Sequence, residues 1–450
     1  MNKYIIEIFS PVVLILSFVL LNGATVTSAQ NVKSIVNTSH LDYLYKKINV
    51  NGKDMGIIHI YADYPDYKYV EAGGEGIACV DDAARAEVFY IKYYKMKKSP
   101  EVLDKIKNLN RFLTYMQAAN GFFYNFIWKD YTIDSTYRTS VAEPNWWSWR
   151  AVWALAEAEK FFTKEDPGFI SEFKPNLDKA IKVTHQWLAE NYSNKKDNFK
   201  GIEIPAWLPG NYAADQSAIM VKAFTVYYET NKNKEIKNDI VKLCEGIIGM
   251  QLYSGHENNE SNGQKKMPPY SVFLSWQNTW HEWGNSQADA LLGAGRILKN
   301  KKYITHALKE IEEFYPYLMK ENFLNDFTVI RNGNILEMEG VNKFPQIAYG
   351  IRPMVFASLK AYQITRNKKY AVTAAKLAGW FFGKNPANAN MYNPKTGVCF
   401  DGILNEKEIN KNSGAESTIE ALLSLVEIEQ NAVARKNLLE QCIQKKNNVN

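Results

Sequence analysis

The feature that most narrows what this chain can fold into is a repeat. Helix-starting segments recur near Val80, Trp146, Asp215, Ser286, Ile351 and Ala415, a spacing of about 64–71 residues. Apolar residues between them follow helical rather than alternating spacing, as at Ala151, Leu155, Ala158 and Phe161 or at Leu422, Leu425 and Val426. Each interval has room for a second helix, starting near Pro100, Lys174, Lys234, Lys301, Lys368 and Ala434. No Pro/Gly/Ser-rich linker divides the six resulting hairpins, and each must bury its apolar face against neighbours. The expected fold is therefore all-α, an (α/α)6 barrel with inner helices ringed by outer ones, in a single domain over residues 30–450. First helices such as "SQADALLGAGRIL" are rich in Ala and Gly, which suits crowding on both sides. Second helices such as "EVLDKIKNLNRFLTYM" carry Lys and Asn on one stripe, as a solvent-facing layer should.

Residues 1–29 read as a removable leader. Lys3 opens it, Pro11 to Leu21 form an apolar core, and Thr27, Ser28 and Ala29 precede Gln30. The apolar run falls short of the roughly 20 residues that spanning a membrane requires. The expectation is an exported protein, periplasmic or extracellular, with no membrane span once the leader is gone. Lys plus Arg number 54 against 48 Asp plus Glu, and Lys3 cancels Glu7 within the leader, so the net charge stays +6. Spread over 450 residues, that excess makes no phosphate-backbone footprint. The lysines of Lys95 to Lys98 read as a solvated helix face, and nucleic acid is not an expected partner. No GxGxxG or GKT/GKS loop occurs, the six histidines are scattered, and Cys79, Cys244, Cys399 and Cys442 show no CxxC spacing, so neither metal nor nucleotide cofactor is expected. A chain this long buries a large core without staples. One bridge, Cys79 to Cys399, is the pairing that an oxidising compartment and the loop placement below would allow, while Cys244 and Cys442 read as buried helix residues.

Function follows from the phase of the repeat. In an up-down toroid the inner helices point the same way, so their N-termini and preceding loops meet at one mouth. The segments that enter them read "EAGGEGIACVDDAARA", "YRTSVAEPNWWSWRA", "IPAWLPGNYAADQSA", "SWQNTWHEWGNSQADA", "KFPQIAYGIRP" and "VCFDGILNEKEINKNSGAEST". The opposite loops are plainer. With aromatic content at 13%, acids, amides, Trp and Tyr gathered at one end describe a polar cleft with aromatic walls, a surface that suits carbohydrate.

Each constellation there has two readings. Asp81 and Asp82, with Arg85 one turn later, fit a general acid or base held in place by a guanidinium; they equally fit an N-cap at Asp81 with an ion pair to Arg85. Glu416 stands three residues after Ser413, the spacing of a capping box, yet Asp401, Asn410 and Asn412 precede it, as a catalytic loop would. Asp215 reads first as an N-cap, with Trp207 and Tyr212 beside it as substrate contacts. His281 and Glu282 lie between Trp280 and Trp283, and "HEWGN" is no zinc site because Asn285 stands where the second His is needed. Trp149 and Trp153 read as a buried stripe, whereas Trp146 and Trp147, near Glu143 and Arg138, fit a sugar platform. Gln346 completes the candidate substrate contacts.

The segments "CVDDAARA", "GFFYNF", "RAVWALAEA" and the closing stretch from Trp380 to Leu425 resemble the helical domains of the six-hairpin glycosidase superfamily. In particular they resemble bacterial glycosyltransferase-associated domains that share a C-x-DD-x-ARA motif, a WF-x-G-x-N segment and a GAEST motif. The resemblance spans most of the chain in order. It implies an (α/α)6 fold and glycan chemistry, and carries over Asp81, Asp82, Arg85 and Glu416. Two positions depart from the pattern: Ala83 replaces an Asn after the paired acids, and Ser413 replaces a Gln before GAES.

The expectation that unites these readings is an exported glycoside hydrolase working on a poly- or oligosaccharide with two carboxyl groups, Asp82 and Glu416, and with Asp81, Asp215 and Glu282 in reserve. Arg85 would orient and balance charge, while Trp146, Trp147 and Trp283 would stack on sugar rings. Two alternatives remain: a polysaccharide lyase or sugar epimerase using His281 with Tyr137 or Tyr212, and a glycan-binding protein without catalysis.

Overall fold

The computed structural model describes residues 34–253 and 268–447; the expected leader, residues 1–29, lies outside them. From Val36 onward the chain forms one compact unit. Twelve helices build the barrel, odd numbers inside and even numbers outside. They are α1 (Val80–Tyr94), α2 (Pro100–Tyr115), α3 (Trp146–Glu165), α4 (Ile170–Asn191), α5 (Ala214–Asn231), α6 (Lys234–Gly249), α7 (Gln287–Leu298), α8 (Lys301–Lys320), α9 (Ala348–Thr365), α10 (Lys368–Ala378), α11 (Ala415–Glu429) and α12 (Ala432–Asn447). Each inner helix packs against the next, and α11 packs back on α1, which closes the ring.

Residue chemistry explains the two layers. The first twelve residues of α5, Ala214 to Thr225, are all buried, so this helix is enclosed on every side. In α2 the buried set includes Val102, Ile106, Leu109 and Leu113, three or four residues apart and facing inward. The turns between paired helices also repeat. Lys232, Lys299 and Arg366 take left-handed backbone at φ 55°, 55° and 61°, and the Asn that follows each one caps the next helix with its side chain.

The helix starts agree with the repeat to within one residue except at three places. The starts of α4, α9 and α12 lie at Ile170, Ala348 and Ala432 rather than Lys174, Ile351 and Ala434. Pro175 and Pro353 stand inside α4 and α9, just after the expected starts. Short antiparallel hairpins in the loops entering the inner helices are the main addition to the all-α expectation. They pair Tyr45–Val50 with Lys53–Ile58, Tyr61–Asp63 with Lys68–Val70, Lys196–Phe199 with Ile202–Pro205, and Gly402–Asn405 with Glu408–Asn410. A three-stranded sheet joins Thr279–His281, Asp326–Asn332 and Ile335–Asn342. Among the described residues no helix is long and apolar enough to cross a membrane.

Candidate active site

Ring closure places the first and last inner helices side by side, and one arginine joins them. Arg85 Nη2 donates to Asp82 Oδ1 at 2.6 Å, while its Nη1 reaches Glu416 Oε2 at 2.8 Å and Glu420 Oε1 at 3.2 Å. Arg352 of α9 grips the same Glu420 through Nε at 2.6 Å. Asp81 pairs not with Arg85 but with Arg150 of α3 at 2.5 Å, and Arg150 also donates to the Tyr349 hydroxyl at 2.8 Å. The Tyr349 ring lies 5.1–5.3 Å from the guanidinium carbons of Arg85, Arg150 and Arg352, where its π density attracts them.

The caps differ from those the sequence suggests. Cys79, not Asp81, caps α1: its Sγ accepts the Asp82 N–H at 3.4 Å, and its thiol donates to Asp82 Oδ2 at 3.1 Å. Asp82 is thus buried with both oxygens engaged. Burial pushes its carboxyl above the usual range, against the pull of Arg85, and the Glu416 charge adds to the rise. At α11 there is no capping box from Ser413, which is fully buried. Asp401 does that work from the far end of the same loop: its Oδ1 accepts the Gly414 N–H at 2.8 Å and the Ser417 hydroxyl at 2.6 Å. Burial raises the Asp401 carboxyl, the two hydrogen bonds pull it back, and the neighbouring Glu416 charge adds to the rise. Glu416 stays open, with 44% of its side chain exposed.

These groups line one cavity of about 290 Å³, with Asp81, Asp82, Arg85, Tyr349, Asp401 and Glu416 on its walls. Beside it lies an aromatic second region. His281 Nε2 sits 3.0 Å from Asp215 Oδ2, and its ring stacks on Trp283 at 3.8 Å and 16°. Trp146 is 5.5 Å from Trp283, and Arg150 lies over Trp146 at 5.0 Å. Arg150 therefore joins the two regions. Asp215 is not a cap, since Ala213 holds that position.

Several candidates have structural work instead. Glu282 is buried, and its Oε1 accepts the Ile347 N–H at the start of α9; burial holds its carboxyl well above the usual range. Gln346 is spent on backbone: its amide donates to Asn322 and Lys343 carbonyls and its oxygen accepts from Trp380. Trp147 is no platform, because it is 4% exposed and its Nε1 donates to the Phe123 and Val141 carbonyls. Trp207 packs edge-on against Tyr192, and the Tyr212 hydroxyl donates to Asp197. Glu143 accepts from Asn145 just ahead of α3, and Arg138 is exposed outside the cavity wall. Ala83 and Ser413, the two departures from the family pattern, are both fully buried. Cys79 and Cys399 are free thiols rather than a bridge, and Cys442 is half-buried.

The sequence reading missed Arg150, Tyr349, Arg352 and Glu420. A signal was present: Arg85, Arg150 and Arg352 each stand about one turn into an inner helix. There a cation opposes the helix dipole and an enclosed helix offers no solvent, so only buried acids explain them. Among the described residues, no group of three or more His, Cys, Asp or Glu side chains is arranged to hold a metal ion.

No protein-family model matches the chain, and no curated protein matches it. Among solved structures, a sugar epimerase from a ruminal bacterium aligns with 88% of this chain and 96% of its own, at 13% identity and a TM-score of 0.55. A cellobiose 2-epimerase from Bacillus thermoamylovorans aligns over 86% and 95%, at 13% identity and 0.55. The cellobiose 2-epimerase from Spirochaeta thermophila aligns over 84% and 90%, at 12% identity and 0.55. What this likeness shows is the fold: the chain builds an (α/α)6 barrel of the kind seen in those structures.

Proposed function

We propose that this chain is a glycoside hydrolase of poly- or oligosaccharides. The observation that carries the reading is a single cavity in which an open carboxylate, Glu416, stands near a second carboxyl, Asp401, whose proton affinity burial raises. Hydrolysis of a glycosidic bond needs such a pair: one acid protonates the leaving oxygen, and one carboxylate activates water or attacks the anomeric carbon. Asp401 suits the acid and Glu416, paired with Arg85, the base or nucleophile. Asp82, with both oxygens engaged, positions Arg85 and through it Glu416. The test is release of reducing ends from a glycan panel. Activity that vanishes in Glu416→Gln with helical signal intact supports the reading, and full activity in that variant overturns it.

A second reading, sugar epimerisation, is favoured by the Asp215–His281 pair, a base whose Nδ1 has no hydrogen-bond partner among the described residues. The three aligned structures named above are epimerases by name. Solvent deuterium entering a sugar C–H position without bond cleavage, and lost in His281→Ala, would select it. Export is part of the proposal: residues 1–29 act as the leader, and protein recovered outside the cytoplasm should begin at Gln30.

A further inference from the structure

The carboxylate cavity is small. At about 290 Å³ it lies at the lower end of ligand sites, which run from about 300 to 1,000 Å³, so a glycan chain bound there must leave it over a neighbouring surface. One wall is Ile60 and Tyr61, and from it the chain runs straight into the hairpin of Tyr61–Asp63 and Lys68–Val70. That hairpin is stitched to the loop carrying the candidate acids. Ser413 N–H donates to the Ala62 carbonyl at 3.0 Å, and Ala415 N–H to that of Ile60 at 2.8 Å. The Asn412 amide donates to Asp63 Oδ1 at 2.8 Å, and its oxygen accepts the Tyr64 N–H at 3.0 Å.

The turn of this hairpin presents two tyrosines. Tyr64 is 51% exposed and meets Tyr67 edge to face at 6.2 Å and 75°. Tyr67 holds φ at 53°, a left-handed backbone that bulky residues rarely adopt. Tyr67 is half-buried, and burial raises its hydroxyl pKa, with the neighbouring Tyr64 and the charge of Asp401 adding to the rise. Lys411 Nζ lies over the Tyr64 ring at 5.4 Å, and Tyr67 meets the His40 ring edge to face at 5.2 Å and 69°, yet half of Tyr64 stays exposed, unlike its neighbour Tyr69. Tyr69 has His59 on it at 3.8 Å and 6°, and Tyr43 at 4.9 Å and 29°, so its faces are filled. Charges at the turn cancel, with Asp63 and Asp66 set against Lys68 and Lys411.

We propose that Tyr64 and Tyr67 form a sugar-stacking subsite outside the carboxylate cavity, and that the substrate is an uncharged glycan chain of two or more rings rather than a simple monosaccharide glycoside. This rests on the glycan reading of the same mouth. An exposed aromatic face offers the apolar side of a pyranose ring a flat partner, while hydroxyls at its edge meet the polar groups of the turn. The experiment compares kcat/KM for an oligosaccharide with that for its aryl monosaccharide, in the wild type, the Tyr64→Ala/Tyr67→Ala double variant and Tyr64→Trp. The ratio of long to short substrate should fall about tenfold in the double variant and be kept in Tyr64→Trp. An unchanged ratio overturns the inference. Gel electrophoresis through neutral polysaccharides separates this from failure of the hydrolase reading. A wild type without turnover that is still retarded, with retardation lost in the double variant, upholds the subsite while hydrolysis falls; a wild type that runs free in every neutral polysaccharide overturns the subsite.

Discussion

Asp401 accepts the backbone N–H of Gly414 at 2.8 Å, so a carboxyl from the start of the loop entering α11 is fixed at the head of the helix that carries Glu416. The first prediction follows from this double duty. Asp401→Asn keeps an acceptor for Gly414 and Ser417 but cannot give up a proton. Hydrolysis of unactivated glycosides should fall about 10²–10⁴-fold, while substrates with leaving groups that need no protonation, such as glycosyl fluorides, should lose far less. Because the wild-type acid must be protonated, kcat/KM should decline as pH rises through its elevated pKa, and that limb should vanish in the variant. Equal losses on both substrates would remove Asp401 from the acid role.

Gly350 and Glu282 make a tight pair. A Cβ at Gly350 would lie 2.5 Å from the Glu282 carboxylate, whose other oxygen is committed to Ile347. Gly350→Ala should destabilise the protein by about 1–3 kcal/mol through overpacking. In a double-mutant cycle measured by urea unfolding, Glu282→Ala should relieve part of that loss, because the clash partner is gone. Strictly additive effects would contradict the contact.

Glu310 gives a prediction about pH. Burial pushes its carboxyl up to about 8, and its Oε1 accepts the Phe273 N–H at 2.9 Å. The folded state therefore holds this proton more tightly than the unfolded chain. The stability it contributes is complete below the ordinary glutamate value and is lost as pH rises toward and through 8. Glu310→Gln keeps the acceptor without the titration. Between pH 5 and 8 its stability should fall less than that of the wild type, by an amount on the order of a few kcal/mol. Parallel Tm curves over that window would refute this.

Asp289 is the anion between two lysines deep in the barrel, with Lys222 Nζ at 3.0 Å and Lys360 Nζ at 2.6 Å. Lys222 is 7% exposed, and burial lowers its pKa to about 8 even with this partner. Asp289→Asn strands both cations and should cost about 3–5 kcal/mol, read from chemical unfolding. The loss should shrink as pH rises and Lys222 sheds its proton. A loss that grows with pH would show that the pair is not what holds Lys222.

The barrel was legible because burying six apolar stripes leaves few arrangements, and the stripes are written at regular intervals from Val80 to Ala415. Which residues gather at the mouth was also legible: Asp81, Asp82, Arg85, Asp401 and Glu416 do share one cavity. Their partners were not. Asp82 and Arg85 are three apart and do pair, yet Asp81 turns to Arg150 on another helix, and Asp401 replaces Ser413 as the cap of α11. Local spacing favours the near partner, whereas packing decides among all neighbours in space. Trp147 and Gln346 show the opposite error, since a polar or aromatic residue in a mouth loop is as useful for holding backbone as for touching a ligand.

Arg85 and Glu416 are 331 positions apart in the chain. The centre they hold together therefore comes into being late, only when the sixth hairpin docks against the first. A nascent or clipped polypeptide of five hairpins can have most of its helices and still lack a working centre. Pairing ends so remote in sequence is also slow compared with local helix formation. Turnover would then be a readout of completed assembly, with partly built molecules inactive.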